Sequence, residues 1–367
     1  MKKSSLLACS FLTCAALAVH AADAPAAPAA SGPYHFIKAI HLGGSSSTDY
    51  LTVDSEGQRL YVSHGTSVTV VDIAKDEVVG DITGQNGVHG IAIASKAGLG
   101  FISNRGTNSV NIFDLKTLKV TKSVGTGTNP DWIMYEPSQN EVYAFNGGSQ
   151  SATVIDVATG NVTATIALGG KPESATVDVA AGRIYDNLED KAAVAVIDIK
   201  THKVVATWPN APAVGASGQA IDLVHHRLFL GCDDTMAMMD STNGKLLDTL
   251  KADPGIDSAA FDPGTGYAFT PGGQTPGGLV VAKEVNGKLT LVQNLVTAPG
   301  AKTIALDPTT HKIYTATSKV KASAATPAAQ PAAATGTAPA RPARPTYEAD
   351  SFEVLVYGMD AAPDAKK

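Results

Sequence analysis

Cysteine and positive charge are both scarce in this sequence. Its 367 residues include 3 cysteines, and 28 Lys and Arg residues against 34 Asp and Glu give a formal net charge of −6. So few cysteines exclude a disulfide scaffold or a zinc cluster of cysteines. The acidic balance argues against a nucleic-acid binder with a strongly basic surface. Hydrophobic residues nevertheless make up 44% of the chain, which excludes a chain that is disordered throughout.

Long apolar runs are also missing beyond the first segment. Two lysines near the start precede an uncharged apolar stretch, residues 6–19, and small residues follow up to Ala21. The stretch is shorter than the ~18 residues that a membrane helix needs, so residues 1–21 are predicted to be a secretory signal peptide that is cut after Ala21. We therefore expect a soluble periplasmic or secreted protein of net charge −8, without a membrane span, in which residues 22–33 form a flexible Ala/Pro-rich leader.

A repeat of about 42 residues runs through the body of the chain. Short apolar runs that end in aspartate recur at intervals of 42, at Asp72, Asp114, Asp156, Asp198 and Asp240. A longer ladder places an aromatic residue seven positions after an anchor that is acidic in six of its seven occurrences. Its aromatic members are Tyr61, Phe101, Tyr143, Tyr185, Phe229, Phe269 and Tyr314. Units of this length with four short strands are typical of a β-propeller.

The predicted fold is therefore all-β, a seven-bladed β-propeller with four-stranded blades over residues 34–358. Blade seven lacks a last strand at its C-terminal end, so residues 34–42 are predicted to complete that blade and close the ring. An Ala/Pro-rich insert, residues 319–346, interrupts blade seven and is expected to be disordered, and residues 359–367 form a tail. The recurrent aspartates should form turns, and the aromatic ladder should pack between blades.

Two of the units resemble a known repeat family. The stretch from Phe101 to Asp114 (FISNRGTNSVNIFD), and residues 142–166 with the Gly-Gly-Lys-Pro that begins at Gly169, resemble the YVTN-repeat, YncE-like family of periplasmic seven-bladed β-propellers. The resemblance covers about residues 34–318 and 350–358. It implies the propeller fold and a periplasmic location. Some family members resemble DNA-binding or surface-adhesion modules, and related propellers bind haem or act on lactones, so the resemblance leaves the function open.

One face of the predicted propeller collects ionisable residues. The residue five positions before each anchor lies in the loop into the first strand of a blade, and the third residue after each aromatic begins the turn after the second strand. In a propeller these loops surround one end of the central channel. The predicted ligand-binding residues at this end are Asp49, Tyr50, His64, His89, Asn104, Arg105, Asp131, Trp132, Glu173, Asp257 and Lys302, with Lys171 as a further neighbour.

Two interpretations of these residues stay open at the level of the sequence. Asp and Asn favour turns because their side chains bond nearby backbone amides, so each residue can be structural. Several acids directed at one opening would instead create a field that attracts cations. The most ligand-like trio is Asp49, His64 and His89. Imidazole with carboxylate suits Zn, Cu, Fe or Ni, and an all-oxygen subset suits Ca or Mg, so a divalent metal is the one cofactor that the sequence suggests.

The sequence contains none of the common catalytic motifs that would indicate an enzyme. The sequence has no Gly-x-Ser-x-Gly elbow, phosphate loop or dinucleotide fingerprint, and no catalytic residue is predicted. We expect an exported, monomeric ligand-binding or protein-interaction module of the cell envelope, whose partner is a small cationic ligand, a metal or an envelope protein. The alternatives are a metal-dependent hydrolase or lyase that uses the same face, and a propeller that binds single-stranded DNA. DNA binding needs basic grooves with stacking aromatics, which a charge of −8 does not favour.

Overall fold

Seven four-stranded antiparallel sheets make up the part of the chain that the computed structural model describes, which is residues 32–45, 49–321 and 346–359. The predicted signal peptide, the leader up to residue 31, most of the predicted insert (322–345) and the tail from residue 360 lie outside the described residues. Each sheet is a blade whose strands, named A to D from the channel outwards, pair in that order.

The strands of equivalent position have similar lengths in the seven blades. The A strands, from blade one to blade seven, are Leu51–Asp54, Val88–Ala94, Pro130–Glu136, Pro172–Asp178, Gly218–Asp222, Ala260–Asp262 and Ala305–Asp307. The B strands are Arg59–His64, Leu99–Asn104, Glu141–Asn146, Arg183–Leu188, Arg227–Cys232, Tyr267–Gly272 and Lys312–Thr317. Neighbouring A strands contact each other around the ring, so these strands line the central channel.

The outer strands complete the blades. The C strands are Ser67–Asp72, Ser109–Asp114, Ser151–Asp156, Ala193–Asp198, Thr235–Asp240, Gly277–Val285 and Glu353–Met359. The D strands are Glu77–Ile82, Val120–Gly125, Asn161–Ala167, Lys203–Pro209, Leu246–Lys251, Lys288–Thr297 and, in blade seven, Tyr34–His41. Two 3-10 helices, Ser95–Ala97 and Glu189–Lys191, are the helical elements of the described residues. Neither of them, nor any other described segment, is a helix long and apolar enough to span a bilayer.

The ring closes as the sequence predicts. Strand Tyr34–His41 pairs antiparallel with strand Glu353–Met359, with Tyr34 opposite Met359 and His41 opposite Glu353. The first and last described strands therefore share one sheet. Strand Tyr34–His41 serves as the D strand of blade seven, so the C strand of that blade does not have an unpaired edge. The described ends of the predicted insert also pair with each other, because Val320 bridges Tyr347 and extends the hairpin of blade seven.

The aromatic ladder forms the core between blades, as predicted. All seven aromatic side chains are at most 2% exposed. Each belongs to an apolar cluster that joins its own blade to the next: Tyr61 packs with Ile91 and Ile102 of blade two, and Tyr314 packs with Leu60 and Val62 of blade one. Because every blade buries apolar surface only against its neighbours, the ring gains its hydrophobic stabilisation from contacts that pass all the way around.

The recurrent aspartates at the ends of the C strands form turns, as predicted. Asp114 accepts hydrogen bonds at Oδ1 from the backbone N–H groups of Lys116 (3.1 Å) and Thr117 (2.7 Å), and Asp156 accepts one from Thr159 (2.8 Å). The hydroxyl groups of Thr117 and Thr159 donate to the same carboxyls (2.8 and 2.6 Å). These hydroxyl bonds, followed by the backbone bonds, hold the pKa of each carboxyl below its usual value. The face with the A–B and C–D turns is called the turn face below.

Candidate functional site

The loops before the A strands and the turns after the B strands lie together at one end of the channel. Backbone bonds join the two kinds of loop: Arg105 N donates to Gly87 O at 2.9 Å, and Gly147 N donates to Asn129 O at 2.9 Å. In blade four Glu189 N reaches the carbonyl of Lys171 at 3.0 Å. We call this end of the channel the mouth. Its ring of equivalent residues, one per blade, is Asp49, His89, Asp131, Glu173, Ser217, Asp257 and Lys302.

Blades one, two and three bring one histidine and two carboxylates together at the mouth. His89 Nδ1 contacts Asp49 Oδ2 and lies 3.6 Å from Asp131 Oδ1. One donor atom from each of the three side chains lies within 4.8 Å of the other two. The side chains are 15–19% exposed, so solvent reaches them although most of their surface is covered. This trio is the group of His, Cys, Asp and Glu side chains in the described chain with the spacing of a metal site.

The other mouth acids are paired with lysines. Lys302 binds Asp257, and Lys171 Nζ lies between Glu173 Oε1 (2.6 Å) and Glu189. Glu189 is a mouth residue that the sequence did not reveal. It belongs to the short 3-10 turn that follows the B strand of blade four, and no position in the repeat predicts that turn.

Burial and mutual repulsion raise the pKa of several mouth carboxyls. Burial raises the pKa of Asp131 to about 6, with a further contribution from the charge of Asp49. Burial also raises the pKa of Glu173 and of Asp257, and for Asp257 the ammonium of Lys302 opposes the effect. The mouth is therefore rich in carboxyls, yet only part of them are held in the charged form.

The pKa of His89 depends on the same environment, but here the neighbouring carboxylates together have a larger effect than burial. Burial on its own lowers the pKa of this imidazole, because it penalises the charged form. The hydrogen bond to Asp49 and the charges of Asp49 and Asp131 outweigh burial, so the pKa of His89 is raised above its usual value. An imidazole between two carboxylates is therefore held more strongly in its cationic form than a free histidine.

Two aromatic side chains form the floor of the mouth. The rings of Tyr50 and Trp132 meet edge to face with centroids 4.8 Å apart, and Trp132 Nε1 donates to the carbonyl of Ala175 at 3.1 Å. Gly90 occupies the equivalent position of the intervening blade two, where an added Cβ would lie 2.9 Å from Ile133 Cγ2. Glycine there allows the chain of blade two to approach the backbone of blade three closely, since the same Cβ would lie 3.0 Å from Asp131 O.

An apolar cavity of about 390 Å³ lies in the channel. A-strand residues line it, among them Leu51, Ile91, Ile133 and Leu306, together with Trp132 of the floor. The polar mouth and the apolar channel are thus neighbouring compartments, and Trp132 borders the second of them.

The structure separates His64 from the trio predicted for a metal. The ring of His64 packs against Phe352 of blade seven, with centroids 4.4 Å apart, and its Nδ1 lies 3.2 Å from Thr69 Oγ1. The predicted set Asp49, His64 and His89 is therefore corrected: Asp131, not His64, completes the group. The physical reason is side-chain direction, since His64 ends a B strand and its ring turns towards the neighbouring blade rather than the channel.

Asn104 and Arg105, also predicted at the mouth, differ from each other in their surroundings. Asn104 is fully buried, accepts a hydrogen bond from Asn86 N (2.9 Å) and donates to Gln85 Oε1 (3.1 Å), so its side chain holds the loops together. Arg105 is exposed, and its charge acts on His89 and Asp131 by lowering the pKa of both. Arg105 thus contributes to the electrostatics of the mouth, whereas the bonds of Asn104 are structural.

A buried carboxyl behind the mouth escaped sequence reasoning. Asp186 lies on the B strand of blade four opposite Ala175 and is 0% exposed. Neither of its carboxylate oxygens has a hydrogen-bond partner within the described chain. Burial raises the pKa of Asp186 well above its usual value, and the charge of Glu173 raises it further. The signal in the sequence is the departure from the repeat, because the other six blades carry an uncharged residue at this position, for example Val62 and Ile102.

Comparison with known proteins identifies the fold and nothing finer. No family model matches the sequence, and no curated protein is similar enough to count as a relative. Among solved structures, a chain of the hydrazine synthase of Kuenenia stuttgartiensis is similar with a TM-score of 0.67 and 16% identity, over 74% of this chain and 92% of that chain. A chain in a mitotic checkpoint complex is similar with a TM-score of 0.67 and 12% identity, over 84% and 96%. At these identities the likeness concerns the fold alone: the chain is a seven-bladed β-propeller.

Proposed function

We propose that this protein is an exported binding module of the cell envelope, and that its mouth holds a positively charged group of a ligand or partner protein. The observation that carries the proposal is the convergence of carboxylates from four blades on one end of the channel: Asp49, Asp131, Glu173, Glu189 and Asp257. A seven-bladed propeller suits an interaction module, because every blade contributes loops to the same face.

The charges of the mouth are unevenly balanced, which indicates where a cation would bind. Lysines already neutralise acids in blades four and six. Asp49 and Asp131 share the imidazole of His89, which carries at most one positive charge. The two aspartates therefore keep a net negative charge even when His89 is protonated, and this charge lies above the aromatic floor. Aromatic faces beside carboxylates also favour cations, because the ring quadrupole attracts positive charge.

The buried carboxyl of Asp186 is a second, independent support. A carboxyl without a hydrogen-bond partner destabilises the fold in which it is buried, and packing alone would favour the Val or Ile of blades one and two. Its charge is coupled to that of Glu173 at the mouth. A costly acid at this place is better explained by a role in binding at the mouth than by stability.

The cellular location rests on the sequence. The predicted signal peptide, residues 1–21, and the resemblance to the periplasmic YVTN-repeat propellers both support export to the envelope. Fractionation of cells that express the full chain, followed by mass determination of the mature N-terminus, tests this part. Recovery of the unprocessed chain in the cytoplasm would contradict it.

Binding of a cation is tested with fluorescently labelled, end-blocked tetralysine, with tetraglutamate as the opposite-charge control. We expect the full chain to bind tetralysine, and to bind it more weakly as salt rises from about 50 mM to 300 mM because screening shortens the range of the attraction. Replacement of both mouth aspartates (Asp49→Asn with Asp131→Asn) should weaken binding at least about tenfold.

The matched control removes two carboxylates of the same blade-one region from the turn face. Glu56 and Glu77 are exposed there, and the pair Glu56→Gln with Glu77→Gln changes the net charge by the same amount. This pair should leave tetralysine binding unchanged. Equal weakening by both pairs of substitutions, or equal affinity for tetraglutamate, would mean that the mouth is not the binding site.

A further inference from the structure

We propose that Asp49, His89 and Asp131 form a binding site for one divalent transition-metal ion, with Zn²⁺ as its reference ion. The inference rests on the proposed function, since the metal ion would be the positively charged group held at the mouth. It names the chemical class of that group and the atoms that bind it: Asp49 Oδ2, His89 Nδ1 and Asp131 Oδ1.

The spacing of the donor atoms fits a shared ion. Ligand atoms about 2.1 Å from a tetrahedral or octahedral ion lie roughly 3.0–3.5 Å from each other. His89 Nδ1 and Asp131 Oδ1 are 3.6 Å apart, and all three donor atoms lie within 4.8 Å of one another. Small rotations of two side chains therefore bring the three atoms into one coordination sphere.

The hydrogen-bonding capacity of the imidazole leaves one carboxylate in need of a partner. A single Nδ1–H donates one hydrogen bond, yet it faces both Asp49 and Asp131. The neighbouring acid of blade six shows the contrast, because Asp257 has the ammonium of Lys302. A divalent ion satisfies both aspartates at once, and imidazole nitrogen with carboxylate oxygens is a donor set that Zn²⁺ accepts.

Hydroxyl groups outside the trio fix the backbone of two donor residues and of the residue next to the third. Ser63 Oγ accepts a bond from Asp49 N (2.9 Å), and Thr303 Oγ1 donates to Asp49 O (2.5 Å). Ser103 Oγ accepts a bond from Gly90 N (2.8 Å), next to His89, and donates to Asp131 O (2.6 Å). One serine thus joins the chain segments of two donors. Outer contacts of this kind orient metal ligands and strengthen binding.

Three protein ligands leave part of the coordination sphere open. Open positions are typical of sites at which the ion also binds water or a group of another molecule. The partial exposure of the three side chains, 15–19%, leaves room for that group. The site is therefore suited to an ion that links the propeller to its partner.

The test is calorimetric titration of the untagged full chain, stripped with EDTA and dialysed, with ZnCl₂. We expect one zinc ion per chain, with affinity lowered roughly 100-fold by His89→Gln and at least about tenfold by Asp131→Asn, since each substitution removes one ligand of three. His64→Gln is the matched control, because His64 is the mouth-region histidine that packs on Phe352; it should leave zinc affinity unchanged. Thermal unfolding of each variant establishes that it is folded.

Substitution with Co²⁺ supplies a second readout, because the visible absorption of this ion reports its ligands. The bands should appear with the wild type and His64→Gln and be lost with His89→Gln. No zinc binding by the wild type, unchanged affinity in His89→Gln, or an equal loss in His64→Gln would overturn the proposal. Tetralysine binding by the same proteins separates the outcomes: if it persists while zinc does not bind, the metal inference fails and the proposed function stands. If neither binds, both fail.

Discussion

The two faces of the propeller use the same kind of residue in opposite ways. On the turn face Asp114 and Asp156 accept bonds from the backbone of their own turns, and their pKa values are lowered. At the mouth burial raises the pKa of Asp131 and Glu173, and no turn of their own compensates for it. An acid that recurs at the same turn in five blades stabilises the fold, whereas an acid that breaks the repeat is costly to the fold and marks a candidate site.

The largest expected effect comes from opening the ring. The mouth is built from loops of all blades and is lost when the ring opens, whereas each turn of the turn face belongs to a single blade. Deletion of residues 34–42 removes the outer strand of blade seven. We expect the melting temperature to fall by more than about 10 °C and binding at the mouth to be lost. A melting temperature equal to that of the parent would show that the closing strand contributes nothing to stability.

The next effect concerns the buried acid behind the mouth. Asp186→Ala should raise the free energy of unfolding by about 1–3 kcal/mol at neutral pH, because it removes an unpaired buried carboxyl. The folded-state pKa of Asp186 lies above the unfolded value of 3.8, so the wild type loses stability as pH rises through the range between the two. The gain should therefore shrink near about pH 3.5, where only the cost of burying an unpaired neutral carboxyl remains. Denaturant titration at both pH values measures it.

Ala144 is the reference for the substitution Asp186→Ala, because it is the residue of blade three at the equivalent position and is fully buried. The reverse change, Ala144→Asp, should destabilise the fold at neutral pH. A variant Asp186→Ala that is less stable than the wild type at neutral pH would mean that the carboxyl has a stabilising partner.

A smaller effect is expected from a single acid of the turn face. Asp156→Ala removes the bonds from Thr159 N and Thr159 Oγ1 and should lower the free energy of unfolding by about 1 kcal/mol. Binding of zinc and tetralysine at the mouth should not change. Asp131→Asn should show the reverse, with zinc affinity lowered at least about tenfold and stability kept. Loss of binding in Asp156→Ala would end the distinction between the faces.

The smallest effect is expected from removal of a lysine that pairs with an acid of the mouth. Lys302→Met removes the cation that pairs with Asp257, so tetralysine affinity should rise about two- to fivefold at low salt. Lys75→Met, which removes a lysine paired with Asp72 on the turn face, is the control and should have no effect. Affinity that falls in Lys302→Met would indicate that this lysine contacts the ligand.

The ring could be predicted from the sequence because its physical requirements repeat. Each blade needs an aromatic side chain against its neighbour, so the seven aromatic residues of the ladder predicted seven blades, and the aspartate that recurs in the turns of five of them supported the same period. The closing strand was also predictable, because residues 34–42 have the spacing of the D strands that blade seven lacks. Its pairing with strand Glu353–Met359 confirms this prediction.

The site was predictable only in part, because it depends on features that do not repeat. His64 and His89 were both predicted to lie near one end of the channel, but the directions of their rings depend on local packing, which for His64 is against Phe352. Glu189 is presented by a 3-10 turn, and among the described residues only blade four has one after its B strand. Asp186 is the one ionisable residue at a position that holds Val, Ile, Ala, Leu or Thr in the other six blades, so a departure from the repeat marks it as surely as a motif would.

Closure of the ring by Tyr34–His41 also sets an order of events during folding. The contact between Gly44 N and Asp350 Oδ1 spans 306 positions, and closing a loop of this length costs on the order of 5 kcal/mol in chain entropy. A strand made early in synthesis has its partner only when residues 353–359 emerge near the end. Until then strands Tyr34–His41 and Lys312–Thr317 both lack the strand that pairs with them, so aggregation and proteolysis compete with folding most strongly before this pairing step.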